Sequence, residues 1–263
     1  MPDRPGLETI DNSDDPENPD LCPRRPNPAL TRRQRQSPDA WVLLTRADSQ
    51  NRRRSMDELT YAIGDVHGRA GALESLLGQI AARGAGRLRR LVFLRDCIDK
   101  GPESARTVAM VRETQAGPRR GDVPDGPSET CAAAGPVLDR DRPPASDGVA
   151  RVADQPATAM GWVAGLRRVH EDRLRDYVHA GFRPGRPGID PSVQARLWIR
   201  EPFLSIDDDF GKHVVHEHTP SYEGVPGCHP SRTDPDTAPL RTGRLTAAVF
   251  DRATPGPIAF LQS

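Results

Sequence analysis

Apolar positions are sparse and without period over the first 56 residues. The one apolar run there, Trp41-Val42-Leu43-Leu44, sits among eight prolines, an acidic block from Asp3 to Asp20 and basic blocks from Arg24 to Arg35 and Arg52 to Arg54. Such a segment buries too little surface to offset its ordering entropy, so residues 1–56 read as a disordered tail. From residue 57 the pattern changes. Leu59 to Ile63 is a short apolar run that ends in Gly64-Asp65, as a buried strand does. Ala72, Leu73, Leu76, Leu77, Ile80 and Ala81 then recur at helical spacing, with Gly84 as a stop. Leu91 to Leu94 reads as a second buried strand. A helix over about 103–113 follows, with Val108 and Val111 on one face. The order β-α-β-α predicts a layered α/β sheet.

Residues 114–158 break the pattern. They hold no aromatic residue, five of the aliphatics Leu, Ile and Val, and 12 glycines and prolines in 45 positions. No period of 2 or 3.6 survives, so this stretch is expected to be degenerate or disordered. Order returns at Met160. Trp162, Leu166 and Val169 fit one helix face. Tyr177-Val178 leads into His179-Ala180-Gly181, Leu197-Trp198-Ile199 precedes Arg200, and Val214-Val215 is flanked by His213, His216 and His218. Leu245 to Phe250 and Ile258 to Leu261 read as two closing strands.

Composition narrows the function classes. Lys plus Arg and Asp plus Glu are both 37, so the net charge is zero, which speaks against a polybasic nucleic-acid binder. Leu, Ile, Val and Phe make up 51 of 263 residues, an average of a foldable part and unfoldable ones. The longest apolar runs are too short for a membrane span, and the acidic, Pro-rich start has no secretory character. The four cysteines, Cys22, Cys97, Cys131 and Cys228, are widely spread, as expected of free thiols in the cytoplasm.

The chemistry concentrates at strand ends. Gly64-Asp65-Val66-His67-Gly68 sets a carboxylate and an imidazole two residues apart, just past the first strand. Asp and His together suit Mn, Fe or Zn. Asp96 closes the second strand, followed by Asp99, Lys100 and Gly101. A carboxylate at each of two neighbouring strand ends is how a two-metal site is built. His179 and His218 follow, each beside a strand. On a strand His216 and His218 share one face and His213 takes the other, so the three do not meet one zinc.

In that order these residues resemble a known family. Tyr61-Ala-Ile-Gly-Asp-Val-His-Gly-Arg69, Phe93-Leu-Arg-Asp-Cys-Ile-Asp-Lys-Gly-Pro102, Tyr177-Val-His-Ala-Gly-Phe-Arg-Pro-Gly185, Leu197-Trp-Ile-Arg-Glu-Pro-Phe-Leu204 and Val214-Val-His-Glu-His-Thr-Pro220 look like the calcineurin-like metallophosphoesterases. Bacterial serine/threonine protein phosphatases of the phosphoprotein phosphatase type look most similar. The resemblance covers about 57–113 and 160–252, and Thr242-Gly-Arg-Leu-Thr246 resembles that group's C-terminal strand. It implies an α/β fold over 57–263, a β-sandwich of two sheets flanked by helices. It also implies two divalent metal ions, with manganese expected and iron or zinc as alternatives. Asp65 and His67 would hold the first metal, Asp96 would bridge both, and His179 and His218 would hold the second. Asp99 would orient the family's catalytic histidine, while Lys100 and Arg200 would grip the phosphate. A hydroxide held between the metals would attack phosphorus in line. The implied substrate is a phosphorylated protein or a small phosphoester, with neither membrane nor nucleic acid as a partner.

The chain also departs from the family. Its only asparagines, Asn12, Asn18, Asn27 and Asn51, lie upstream of the first motif, and no histidine lies between His67 and His170. The family's Gly-Asn-His-Glu is therefore missing, and with it an amide ligand of the second metal and the general acid. General acid catalysis is worth about 10²–10⁴-fold, so an impaired enzyme is expected. Arg95 and Glu217 replace glycines, Ala238-Pro239 replaces Gly-Ala, and Lys100 stands for an arginine and loses its bidentate fork. Two further readings compete with a protein phosphatase: a non-catalytic protein that binds a phospho-ligand or a protein partner, and a dinucleoside polyphosphate hydrolase.

Overall fold

The computed structural model describes residues 58–85, 87–94, 96–97, 100–116, 128–132, 162 and 165–263. The expectations for the tail, for Arg95 and Asp99, and for most of 114–158 lie outside the described residues. Strand β1 (Leu59–Ile63) is buried along its length. Helix α1 (Ala70–Arg83) buries Ala70, Leu73, Leu76 and Ile80, the three-to-four spacing read from the sequence, and the Gly84 N–H donates to Ile80 O at its end. Strand β2 (Arg89–Phe93) pairs parallel with β1, from Leu59 opposite Arg89 to Ile63 opposite Phe93. Helix α2 (Ser104–Ala116) buries Val108 and Val111 as expected.

A third parallel strand, β3 (Ser128–Ala132), pairs with β2 from Arg89 opposite Ser128 to Phe93 opposite Ala132. It lies within the stretch in which the sequence shows no element. Backbone pairing to an already formed edge does not require an apolar period, so the pattern could not show it. The antiparallel strands β9 (Thr246–Phe250) and β10 (Ala259–Gln262) complete a sheet of order β10-β9-β1-β2-β3.

The second sheet has the order β4-β5-β6-β8-β7. It comprises β4 (Val169–Glu171), β5 (Arg175–Val178), β6 (His213–Val215), β7 (Gly227–Cys228) and β8 (Arg232–Asp234). The expected helix face through Val169 is corrected here. Val169 pairs antiparallel with Val178, because Asp172 Oδ1 accepts from Leu174 N and Arg175 N and closes a tight hairpin. Two short helices, α3 (Val193–Trp198) and α4 (Pro239–Thr242), sit in the connections.

The layers follow from alternation along the strands. Leu59, Tyr61 and Ile63 of β1 face Leu73, Leu76 and Ile80 of α1, while Ala62, Val92, Ala248 and Phe250 face Tyr177 and Val215 of the second sheet. The molecule is therefore a two-sheet sandwich with helices on the outer face of the first sheet, as expected. Among the described residues, no helix is long and apolar enough to cross a membrane.

His213 illustrates the cost of burying polar groups in this core. Its Nε2 lies 2.7 Å from Thr233 Oγ1, and burial, helped by Arg175, pushes its pKa down to about 3. The unfolded chain, with an ordinary value near 6.5, takes up this proton first as pH falls. Stability is thus present above about 6.5 and is lost as pH falls toward 3. The urea stability advantage of the wild type over His213→Asn is expected to narrow by about 2 kcal/mol between pH 7 and pH 5. A gap that stays constant would mean that His213 titrates alike in the folded and unfolded chain.

Candidate metal centre

The site forms where parallel strands end. His67 N donates to Asp96 O at 2.7 Å and Gly68 N to Cys97 O at 3.1 Å, so the loops after β1 and β2 are laced together. Gly101 makes the approach feasible, since a Cβ there would lie 1.9 Å from His67 O. In the second sheet Glu217 N donates to His179 O at 2.7 Å and laces the loops after β5 and β6. Packing of the two sheets then brings four strand ends together, where ligands collect in open α/β sheets.

Ligand atoms of Asp65, Asp96 and His179 lie within 4.8 Å of one another. His67 Nε2 is 3.3 Å from Asp65 Oδ2 and 3.9 Å from Asp96 Oδ2. The rings of His179 and His218 meet with centroids 4.7 Å apart, and Trp198 stands edge-on to His218 at 5.9 Å. All five residues expected to hold metal are therefore gathered. Lys100 is exposed, and its Nζ lies 2.9 Å from His67 Nε2, so its ammonium engages a ring expected to ligate metal. Arg200 is exposed two residues beyond Trp198. Asp99 lies outside the described residues.

The backbone marks the same residues. His67, Asp96, Lys100 and His218 have φ of 46°, 39°, 65° and 81°, values that side chains rarely adopt. Such strain of about 1–3 kcal/mol each persists where the surroundings over-determine a conformation, as functional sites do.

Electrostatics separates the acids. Burial would raise Asp65, but contact with His67 and the nearby His179 overcome it and hold the carboxyl well below the usual range. Burial would lower His67, but Asp65 and Asp96 outweigh it and push the imidazole up to about 9. Burial, then Asp65 and Asp96, push Glu217 well above the ordinary value. Burial and Asp65 do the same to Asp236. Cys97 is pushed up to about 12 by burial and the same carboxylates, so it stays a thiol.

Three buried carboxylate oxygens here, Asp65 Oδ1, Glu217 Oε2 and Asp236 Oδ2, have no hydrogen-bond donor. Buried polar atoms are normally satisfied, and a cation satisfies acceptors that no donor reaches. Carboxylate oxygens with imidazole nitrogens suit Mn, Fe or Zn, so the residues fit a divalent ion. Glu217 and Asp236 were not legible as site residues. The signal for Glu217 was its place between two histidines, where the resemblance expects glycine.

No family model matches the sequence, and no curated protein matches it. Among solved structures, one of a candidate diadenosine tetraphosphatase aligns with a TM-score of 0.57 at 19% identity, covering 79% of this chain and 93% of that one. A metallophosphoesterase from Sphaerobacter thermophilus aligns with a TM-score of 0.44 at 17% identity, covering 78% of this chain and 87% of that one. The first likeness is one of fold: this chain is a two-sheet α/β sandwich of the kind that structure has.

Proposed function

We propose that the protein is a metal-dependent phosphoesterase that hydrolyses phosphomonoesters, with phosphoserine and phosphothreonine in proteins as the substrate class. The observation that carries this is the convergence of Asp65, Asp96 and His179 within 4.8 Å, bordered by His67 and His218, at strand ends of two packed sheets. Asp65, His67, Asp96, His179 and His218 would hold the ions. A bound divalent cation supplies Lewis acidity toward the phosphoryl oxygens and the attacking water. The chain's own groups do the rest. The lacing of the loops fixes Asp96 against His67. Exposed Arg200 and Lys100 offer positive charge to an incoming phosphate, and Lys100 must leave His67 to do so.

A second reading, a dinucleoside polyphosphate hydrolase, is favoured by Trp198. This ring is 42% exposed beside His218 and offers a face on which a base would stack. The described fold neighbour, a candidate diadenosine tetraphosphatase, supports the same alternative. The test is hydrolysis by the full chain with manganese of a phosphothreonine peptide beside diadenosine tetraphosphate. Preference for the peptide by about tenfold or more in kcat/KM, about 1.4 kcal/mol, supports the first reading. The reverse preference, abolished in Trp198→Ala, establishes the second. No turnover of either would overturn both hydrolase readings.

A further inference from the structure

We propose that Glu217 is itself a ligand of the metal centre, sharing a divalent cation with Asp65 and standing in for the amide ligand that this chain lacks. The proposal rests on the metal-dependent reading above.

Glu217 is 0% exposed, two residues past the end of β6. A glutamate kept only for structure would have both oxygens satisfied, because an unpaired buried carboxylate oxygen is costly. Here only one is. Oε1 lies 2.7 Å from His179 Nδ1. With Glu217 ionised, Nδ1 carries the proton and the lone pair of His179 sits on Nε2, the usual arrangement for a metal-ligating histidine backed by a carboxylate. Oε2 has no donor. The neighbour against it is the Asp65 carboxylate, and with both groups ionised neither Glu217 Oε2 nor Asp65 Oδ1 has a donor.

Asp236, just past the end of β8, adds a third carboxylate with an oxygen that no donor reaches, and it lies close enough to feel Asp65. Three segments distant in sequence thus bring acceptor-only atoms to one buried place. Acceptors facing acceptors repel unless a proton or a cation lies between them, and the adjacent Asp96 and His179 make a divalent cation the better occupant. The sequence supplies a matching vacancy in chemistry. Every asparagine lies upstream of residue 52, so no amide from that side chain reaches the centre within the resembling region.

The test is manganese binding by the full chain, measured by calorimetry and by loss of the free-ion paramagnetic resonance signal. Wild type is compared with Glu217→Gln, Glu217→Ala and Asp96→Asn. Glu217→Gln keeps the shape and an acceptor for His179 but removes the charge. The expected result is manganese affinity weakened by about 10–100-fold, or one bound equivalent lost, in both Glu217 variants. Wild-type affinity in Glu217→Gln with weakening only in Glu217→Ala would mean that Glu217 merely orients His179, and would overturn the proposal. Wild-type affinity in both would overturn it as well. In either case loss of binding in Asp96→Asn would leave the metal reading standing. A wild-type chain that binds no manganese would sink both together. Metal-free thermal melts check folding. Should Glu217→Gln not fold, Glu217→Asp withdraws the carboxylate while keeping its charge, and the same weakening is expected.

Discussion

Replacing Asp96 by asparagine is expected to lower manganese-dependent hydrolysis of p-nitrophenyl phosphate by about 10³-fold, which is about 4 kcal/mol of transition-state stabilisation. Asp96 lies in the loop beyond β2, with its Oδ2 3.9 Å from His67 Nε2, and shares the 4.8 Å cluster with Asp65 and His179. Asparagine has the same shape and can occupy the same left-handed backbone at φ 39°. The change therefore removes a negative charge from the centre and leaves the fold in place. Nitrophenolate is a good leaving group that needs little protonation, so its hydrolysis does not depend on a general acid. Turnover that survives the substitution at the wild-type rate would place the chemistry elsewhere. An absence of turnover in both proteins would overturn the phosphoesterase reading.

Replacing Arg175 by methionine is expected to destabilise the fold by about 3–5 kcal/mol and to lower the melting temperature by roughly 10 °C. Arg175 is 1% exposed, at the start of β5 in the second sheet. Its Nε donates to Pro255 O at 2.8 Å, its Nη1 to Asp172 Oδ2 at 3.0 Å and its Nη2 to Asp251 O at 2.5 Å and to Thr254 O. The guanidinium also lies over the Phe250 ring, 4.6 Å from its centroid. Asp251, Thr254 and Pro255 belong to the β9–β10 connection of the other sheet, so one side chain ties the two layers. Methionine fills much of the volume but leaves three carbonyls without their donor and takes the cation from Asp172, whose oxygens keep only Leu174 N, the residue-175 N–H and Tyr177 Oη. A thermal melt within 2–3 °C of wild type would show that water replaces the lost donors.

The elements read correctly from the chain were those whose evidence is local. Strand β1, helix α1, strand β2 and the closing strands announce themselves by period and by glycine stops. Their core faces are the apolar residues of those periods. The five residues expected to hold metal each lie just past an apolar strand in the sequence, and the structure brings them near one another. Val169 was misread as helical because three apolar residues at helical spacing say nothing of Asp172. That carboxylate closes the hairpin only once β5 is available to pair. Strand β3 escaped notice because its order comes from the edge of β2, a partner 39 positions away at the register Arg89 to Ser128.

Local order, the strand-end placement of Asp65, Asp96, His179 and His218, and the absence of an asparagine after residue 51 are all properties of the chain read in line. The surroundings of Glu217 are not. In line it is a side chain where glycine is expected. Folded, it is a fully buried carboxylate between His179 and Asp65, because parallel pairing of β5 with β6 and packing of two sheets bring residues 38 positions and more apart into contact. Burial and charge partners are set by distance in space, and only the packed sheets establish those distances.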